Sequence, residues 1–345
     1  MWYNNYGNEG DVVLSSRVRL ARNIKGLPFP LAASGKQQAE VIDRCTDALT
    51  NIEGDTERHQ SIKEMNLKYI DLSNMKDYEK QAISECHLIS PQMIDDSKKR
   101  GLILSGDSRV SIMINEEDHL RIQCMEAGLD IDKCFENANL LDDVIEEKLD
   151  YAFDEDFGYL TCCPTNAGTG LRVSVMVHLP GYVLTGKFNE LAGSLSQLGL
   201  TVRGIYGEGS KGLGNIFQIS NQLTLGMTEQ EIAERLKQLV SEVITNEREL
   251  RKLLYKNDKY RVEDRIMRSC GILKNAVIVT THEAMKRLSD VRLGVALGII
   301  KDIGYEQLNE ITYSILPANI IKNYNTANEL SRDLKRGEII RERMC

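Results

Sequence analysis

Leu102-Ile103-Leu104, then Gly106-Asp107-Ser108, then Val110-Ser111-Ile112-Met113-Ile114: two short apolar runs separated by a cluster of turn residues read as an antiparallel hairpin. Leu120–Met125 supplies the next strand. Arg172–Leu179, Leu200–Tyr206 and Ile216–Asn221 have the same strand character, while Val12–Leu14 and residues 66–72 add short extended segments. Helical signals lie between them. Ser34 with Gln37 forms a capping box that opens a helix to about Ile52, with Val41, Ile42, Cys45 and Leu49 on its stripe. Further helices are expected over 75–88, 130–153 and 187–198. Thr228 with Glu231 caps a long helix carrying Ile232, Leu236, Leu239, Val243 and Ile244. Hairpins interleaved with helices imply an α+β fold, an antiparallel sheet flanked by helices, rather than a doubly wound parallel sheet.

The length, 345 residues, points to about two domains. Beyond residue 250 strand signals nearly vanish, and helical segments recur near 259–270, 281–290, 304–311 and 326–336. The expected division is therefore a mixed domain over 11–250 and a helical domain over 251–345. Charged residues at 27% and hydrophobic ones at 42% exclude a disordered chain. A net charge of −8 excludes a bulk basic field for nucleic acid. There is no run long and apolar enough to span a membrane. The start, MWYNNYGNEGDVV, lacks the basic and apolar regions of a secretory signal. The eight cysteines include no C-x-x-C pair, which argues against zinc or a redox dithiol and for reduced thiols in the cytoplasm.

Two motifs are coincidences of spelling. Gly207-Glu208-Gly209-Ser210-Lys211-Gly212 fits G-x-G-x-x-G, yet a strand rather than a helix follows it. Asp156-Phe157-Gly158 has no H-R-D loop or V-A-I-K strand to accompany it. No G-x-x-x-x-G-K-[ST] loop is present.

Arginine at strand positions is the unusual feature. Arg17 and Arg19 are two apart in an extended segment and so share one face. Arg121 follows Asn115-Glu116-Glu117-Asp118-His119-Leu120, Arg172 opens an apolar strand, and Arg203 ends another. A charge in an apolar strand costs several kcal/mol unless it meets a counter-charge. Five such sites need a multiply charged anion or an internal lattice of carboxylates.

Ser15-Ser16-Arg17-Val18-Arg19-Leu20-Ala21-Arg22-Asn23, Asn115 through Arg121, Cys163-Pro164-Thr165-Asn166 through Gly170-Leu171-Arg172, and Arg203-Gly204 with Gly207-Glu208 resemble, in order and spacing, the motif set of phosphagen kinases. The likeness is strong over about residues 11–250. Small-guanidino kinases carry a helical domain ahead of the first arginine block; here 14 residues precede Ser15 and a helical region follows the core. That arrangement resembles the McsB-type protein-arginine kinases. So do His87-Leu88-Ile89-Ser90-Pro91 and Arg332-Asp333-Leu334-Lys335-Arg336-Gly337, although Gly337 stands where that motif usually has Ala.

The resemblance implies a fold like that of phosphagen kinases and glutamine synthetase, and transfer of the γ-phosphoryl group of ATP, with Mg2+, to arginine side chains of proteins. Implied nucleotide contacts are Ser15, Ser16, Arg17, Val18, Arg19, His87, Arg121, Arg172, Val173, Ser174, Val175, Met176, Arg203, Gly204, Ile205, Tyr206, Gly207 and Glu208. Glu117 and Glu208 are the implied carboxylates at the reacting guanidinium, and Cys163 the implied reactive thiol, which neighbouring arginines would favour as thiolate. Arg332, Asp333 and Arg336 correspond to an allosteric phosphoarginine pocket. Also implied are a role in stress response through an AAA+ protease and a heat-shock repressor, an activator of the McsA type, and a homodimer, with no direct nucleic acid or membrane partner.

The chemistry constrains the residue types independently. A guanidinium with pKa near ~13 has no lone pair to offer, and deprotonating it at pH 7 costs ~8 kcal/mol. A base must take the proton as the phosphorus–nitrogen bond forms, and a carboxylate that first orients the guanidinium does both. Two other classes of function remain open on sequence: a kinase for a small guanidino metabolite, and a phosphoarginine-binding adaptor whose kinase core is inactive. A weaker third is a nucleotide-dependent ligase of similar sheet topology.

Overall fold

The computed structural model describes residues 1–52, 54, 56–95, 98–205, 212–326 and 328–344. Its strands are β1 (Val13–Arg22), β2 (Lys68–Asp71), β3 (Gly101–Leu104), β4 (Val110–Ile114), β5 (Leu120–Ala127), β6 (Phe153–Asp154), β7 (Gly158–Tyr159), β8 (Leu171–His178), β9 (Leu200–Gly204) and β10 (Ile216–Asn221). Eight of them form one sheet in the order β2-β3-β4-β5-β1-β8-β10-β9, antiparallel at every pairing. β6 and β7 make a small hairpin of their own. The helices are α1 (Gly35–Thr50), α2 (Glu57–Glu64), α3 (Asp77–Glu85), α4 (Ile131–Glu146), α5 (Pro180–Leu184), α6 (Phe188–Gln197), α7 (Glu229–Asn257), α8 (Lys259–Asn275), α9 (Thr281–Ala296), α10 (Tyr305–Ser314), α11 (Pro317–Tyr324) and α12 (Glu329–Arg343).

Strand alternation divides the sheet into two unlike faces. Val18, Leu20, Ile122, Cys124, Val173, Val175 and Ile219 point to one side. There they pack with Val41 and Cys45 of α1, Ala138 and Leu141 of α4, and Leu236 and Val240 of α7, all fully buried. The opposite face is covered only at its margins. Leu14, Met176 and Ile216 meet Ile266, Leu288 and Ile311 of the C-terminal helices. Met113, Met125 and Leu102 meet Trp2, Ile83 of α3 and Leu316. Over the middle of β1, β5 and β8 this face is open, and the functional cavity lies there.

Both expected capping boxes are present, at Ser34 on α1 and Thr228 on α7. The helix expected over 130–153 ends at Glu146. The next residues bind the end of β1 instead: Lys25 N–H donates to Asp150 O and Ala152 N–H to Asn23 O. α7 runs unbroken through residue 250, where the division between domains was expected. α5 and α11 had no expected counterpart, yet both carry Pro at the first helical position, where its missing N–H costs nothing. Asp156-Phe157-Gly158 forms the β6–β7 turn, held by Asp154, whose carboxylate accepts the N–H groups of Asp156 and Phe157. The glycine-rich stretch 207–211 lies outside the described residues.

Gly337 sits at a close approach of α12 to the segment that follows α8. A Cβ there would stand 2.4 Å from the carbonyl oxygen of Val277, so the approach of α12 to residues 276–277 requires glycine.

One buried ion pair holds the end of β1. Arg22, 1% exposed, donates from Nη2 to Asp142 Oδ2 of α4 at 2.7 Å, and from Nη1 to the carbonyls of Ala21 and Thr169. Its guanidinium also stacks 3.5 Å from the centre of the Tyr159 ring. Removing one partner leaves an uncompensated buried charge. Asp142→Ala should cost about 3–5 kcal/mol in urea-induced unfolding; a loss under about 1 kcal/mol would show that Glu229, 3.4 Å from Arg22, can take over.

Candidate active site

Sheet register, not sequence proximity, assembles the arginines. Arg19 of β1 stands directly opposite Arg172 of β8, Arg121 of β5 opposite Ala21, and Arg203 of β9 opposite Gln218 of β10. Arg17, two residues before Arg19, faces Ser174. All five point to the open face and line a cavity of about 670 Å3. Like charges opposite one another on adjacent strands destabilise a sheet, so their placement needs an account.

Only Arg121 of the five has a carboxylate within ion-pair distance among the described residues: Nη1 meets Glu116 at 2.7 Å and Nη2 meets Glu117 at 3.0 Å. Arg17 has neutral partners, Ser174 Oγ at 3.3 Å and Gln218 Oε1 at 2.9 Å. Arg172 donates to Ser220 Oγ at 3.2 Å. The Nε atoms of Arg19 and Arg172 are buried and have no hydrogen-bond partner. Burial, then the charges of Arg172 and Arg121, pushes Arg17 down to about 10. Burial, then the charges of Arg17, Arg121 and Arg172, pushes Arg19 well down, and burial with Arg203 and Arg121 lowers Arg172. A cluster of under-compensated, under-bonded guanidinium groups is the complement of a multiply charged anion such as a chain of phosphates.

The acidic turn Asn115–His119 is fastened residue by residue. Asn115 adopts a left-handed φ of 57°, and its amide donates to the carbonyls of Gln38 and Lys99. Glu116 is fully buried and receives Ser90 Oγ as well as Arg121. His119 Nδ1 accepts from Ile24 N–H at 3.0 Å, so Nε2 carries the proton to Pro28 O. Asp118 Oδ1 accepts from Asn23 Nδ2 and from Cys162 N–H, each at 2.7 Å. Asp118 thus ties the turn both to the end of β1 and to the strap 160–170 that carries Cys163. Glu117, between these anchors, is left half-buried on the cavity wall. Burial raises its carboxyl above the ordinary range; Arg121 opposes this, while Asp118 and Glu116 add to it.

Cys163 lines the same cavity, with Sγ 2.9 Å from Thr165 Oγ1. Its neighbour Cys162 is a different thiol, turned toward Asp118 and pushed up to about 12 by burial and that carboxylate. His87 lines the cavity with a left-handed φ of 61°; burial and Arg17 push it down to about 3, so the ring is neutral.

Of the positions expected from sequence, Arg17, Arg19, His87, Glu117, Arg121, Cys163, Arg172, Arg203 and Ile205 line one cavity. Val18, Val173 and Val175 do not: alternation turns them into the core against α4 and α7. Ser16 also faces away, its hydroxyl bonded to Gly128 O and Asp130 N. Ser15 is buried, Gly204 pairs with Phe217, Ser174 supports Arg17, and Met176 packs under the C-terminal helices. Tyr206, Gly207 and Glu208 lie outside the described residues. Arg332, Asp333 and Arg336 are on α12 and do not line the cavity. Arg336 is buried there, donating to Ile315 O, to Val279 O and to Asp333.

Sequence reading missed Gln123, Gln218, Glu85 and Asn166 on the cavity wall, and Asp118 behind it. For Gln123 a signal existed: it is two residues from Arg121 in the same strand and so shares its face.

The profile of the ATP:guanido phosphotransferase C-terminal catalytic domain matches residues 40–250, and that of the protein-arginine kinase McsB C-terminal domain matches 259–345. The protein-arginine kinase of Halothermothrix orenii is 45% identical over 344 residues, covering 99% of this chain and 96% of its own. That of Clostridium kluyveri is 45% identical over 346 residues, covering 100% and 98%. A crystal structure of lombricine kinase superimposes with a TM-score of 0.59 at 28% identity, covering 71% of this chain and 68% of its own. The arginine cavity, the acidic turn and these end-to-end likenesses agree: the chain belongs to the ATP:guanido phosphotransferase family, and within it to the protein-arginine kinases.

Proposed function

We propose that the cavity holds ATP with its phosphates on Arg17, Arg19, Arg121, Arg172 and Arg203, and that Glu117 receives the proton released by the acceptor arginine. The observation that carries this reading is the facing pair Arg19 and Arg172, neither of which meets a carboxylate among the described residues, with the half-buried Glu117 on the same wall. In the step, the guanidine nitrogen bonds to the γ-phosphorus, the bond from that phosphorus to the bridging oxygen breaks, and ADP leaves with the electron pair. The proton passes to a Glu117 oxygen. A carboxyl raised above the ordinary range is a stronger base, closer to the working pH. Glu208 is assigned as the second clamp on the acceptor, and Cys163 as a thiol that orients it without forming a covalent intermediate.

Among the described residues no three His, Cys, Asp or Glu side chains converge to cage a metal ion. A Mg2+ ion would accordingly be held mainly by nucleotide oxygens and water, and would offset phosphate charge beside the arginines. Arg332, Asp333 and Arg336 are read as a phosphoarginine-responsive regulatory site. The setting proposed with them rests on family likeness: a cytoplasmic stress-response enzyme, an activator of the McsA type, a dimer, and targets handed to an AAA+ protease or including a heat-shock repressor.

Three measurements test the reading. Incubated with ATP, Mg2+ and an unfolded protein, the enzyme should leave phosphate on arginine as an acid-labile phosphoramidate; acid-stable label on hydroxyl residues would overturn the chemistry. Because Glu117 must be ionised to accept a proton, kcat/KM should fall as pH drops through a limb above the ordinary ~4.3 of a glutamate. Glu117→Gln should lose that limb and about 10²–10⁴ of the rate; a retained limb would move the role to Glu208. Arg19→Met should leave the nucleotide-free protein as stable or more so, since it removes a half-buried guanidinium that meets no carboxylate among the described residues. The same variant should lose most of the shift that ATP gives the parent, about 2.7 kcal/mol at one hundred times Kd.

A further inference from the structure

A cavity walled by arginines repels the group it must accept. In the nucleotide-free protein an incoming guanidinium meets the field of five arginines, against which the described cavity wall sets two half-buried acids, Glu85 and Glu117. The surface beside the cavity, along the segment that carries Cys163, can add attraction for the rest of the acceptor.

The strap 160–170 forms that side of the site, with Cys163, Thr165 and Asn166 on the cavity. Large exposed apolar side chains border the strap on its outer side. Leu31, 75% exposed, has its backbone beside the Cys162 side chain. Leu225, 52% exposed, packs on Gly168, where an added Cβ would stand 2.8 Å from its Cδ2. The β6–β7 hairpin carries Phe153 and Phe157, 57% and 62% exposed, and is pinned to the strap by Tyr159 N–H on Gly168 O at 2.8 Å. Single exposed apolar residues are ordinary, but a set fastened to one catalytic segment marks an interaction surface. The hairpin is also pre-organised: the Asp154 carboxylate holds the turn through two backbone N–H groups. Between the two phenylalanines, Glu155 and Asp156 are exposed and make no ion pair among the described residues.

We propose that this hairpin, with Leu31 and Leu225, is a docking rim for an extended stretch of the acceptor protein that carries an apolar residue and a second basic residue near the target arginine. The proposal rests on the phosphoryl-transfer reading of the cavity and adds the class of acceptor it prefers. Charge complementarity selects the occupant: Glu155 and Asp156 attract basic flanks and offset the repulsion of the arginine wall. The phenylalanines offer apolar contact that a compact surface seldom presents beside an arginine, so unfolded chains are favoured.

The test uses the full chain with ATP and Mg2+ and two peptides, each with one arginine. In one, Leu and Lys flank it; in the other, Gly and Ser. The parent enzyme should show a KM about tenfold lower for the first, as burial of one apolar side chain allows. Phe157→Ser and the double variant Glu155→Lys with Asp156→Lys should each raise that KM about tenfold toward the Gly/Ser value. Their kcat, their KM for ATP and their Tm should stay at the parent values. An unchanged KM for the Leu/Lys peptide in both variants, with kinase activity intact, would overturn the rim alone. Failure of the parent to phosphorylate either peptide would overturn the rim together with the reading of the cavity.

Discussion

The structure is organised around a repulsion. Arg19 and Arg172 face each other across the adjacent strands β1 and β8, Arg17 and Arg203 lie nearby, and among the described residues none of the four meets a carboxylate. Such an arrangement raises the energy of the empty protein, and the lowered proton affinity of Arg17, Arg19 and Arg172 expresses the same strain. It persists because the other face of those strands is fully engaged. Val18, Leu20, Val173 and Val175 are buried against α4 and α7, and a shift of one residue would bring the arginines into that core. Hydrophobic burial on one face thus holds unfavourable charge on the other, ready for an anion.

The acids are arranged by a different device. Glu116 is spent on Arg121 and Ser90, Asp118 on Asn23 and the Cys162 amide, and His119 on the backbone of Ile24 and Pro28. With every neighbour committed to holding the turn, Glu117 is the acid left on the cavity wall. Asp118 makes the position of Glu117 and that of the Cys163 strap one problem rather than two. The Arg22–Asp142 pair does similar work where the strap rejoins β1, since Arg22 also binds Thr169 O.

The C-terminal helices are part of this economy. They cover Leu14, Met176 and Ile216 on the functional face and leave its middle open. Tyr313 of α10 packs edge-on against His87, 5.9 Å between ring centres, so the cavity wall and the helical region share a contact. Glu85, also on the cavity wall, accepts the backbone N–H groups of Ala318 and Asn319 at the start of α11. The Arg336 guanidinium reaches the same region through Ile315 O.

Periodicity and capping were legible in the chain itself: the hairpin at 102–114, the boxes at Ser34 and Thr228, and the arginines spaced by two in Arg17 and Arg19 follow from local stereochemistry. The four motif blocks likewise carried the family. What periodicity could not say was which residues of a strand would face the cavity once both neighbours were placed, so Val18, Val173 and Val175 were expected at the nucleotide and lie in the core. Nor could it show that α7 passes through residue 250, that Asp118 bridges two segments, or that Gln123 and Gln218 complete the wall. These depend on register between strands far apart in sequence and on long-range hydrogen bonds. The sequence alone determined which groups were available and their local conformation; the pairing of β1 with β5 and β8 decided which of them meet, because contact across a sheet is set by register and not by distance along the chain.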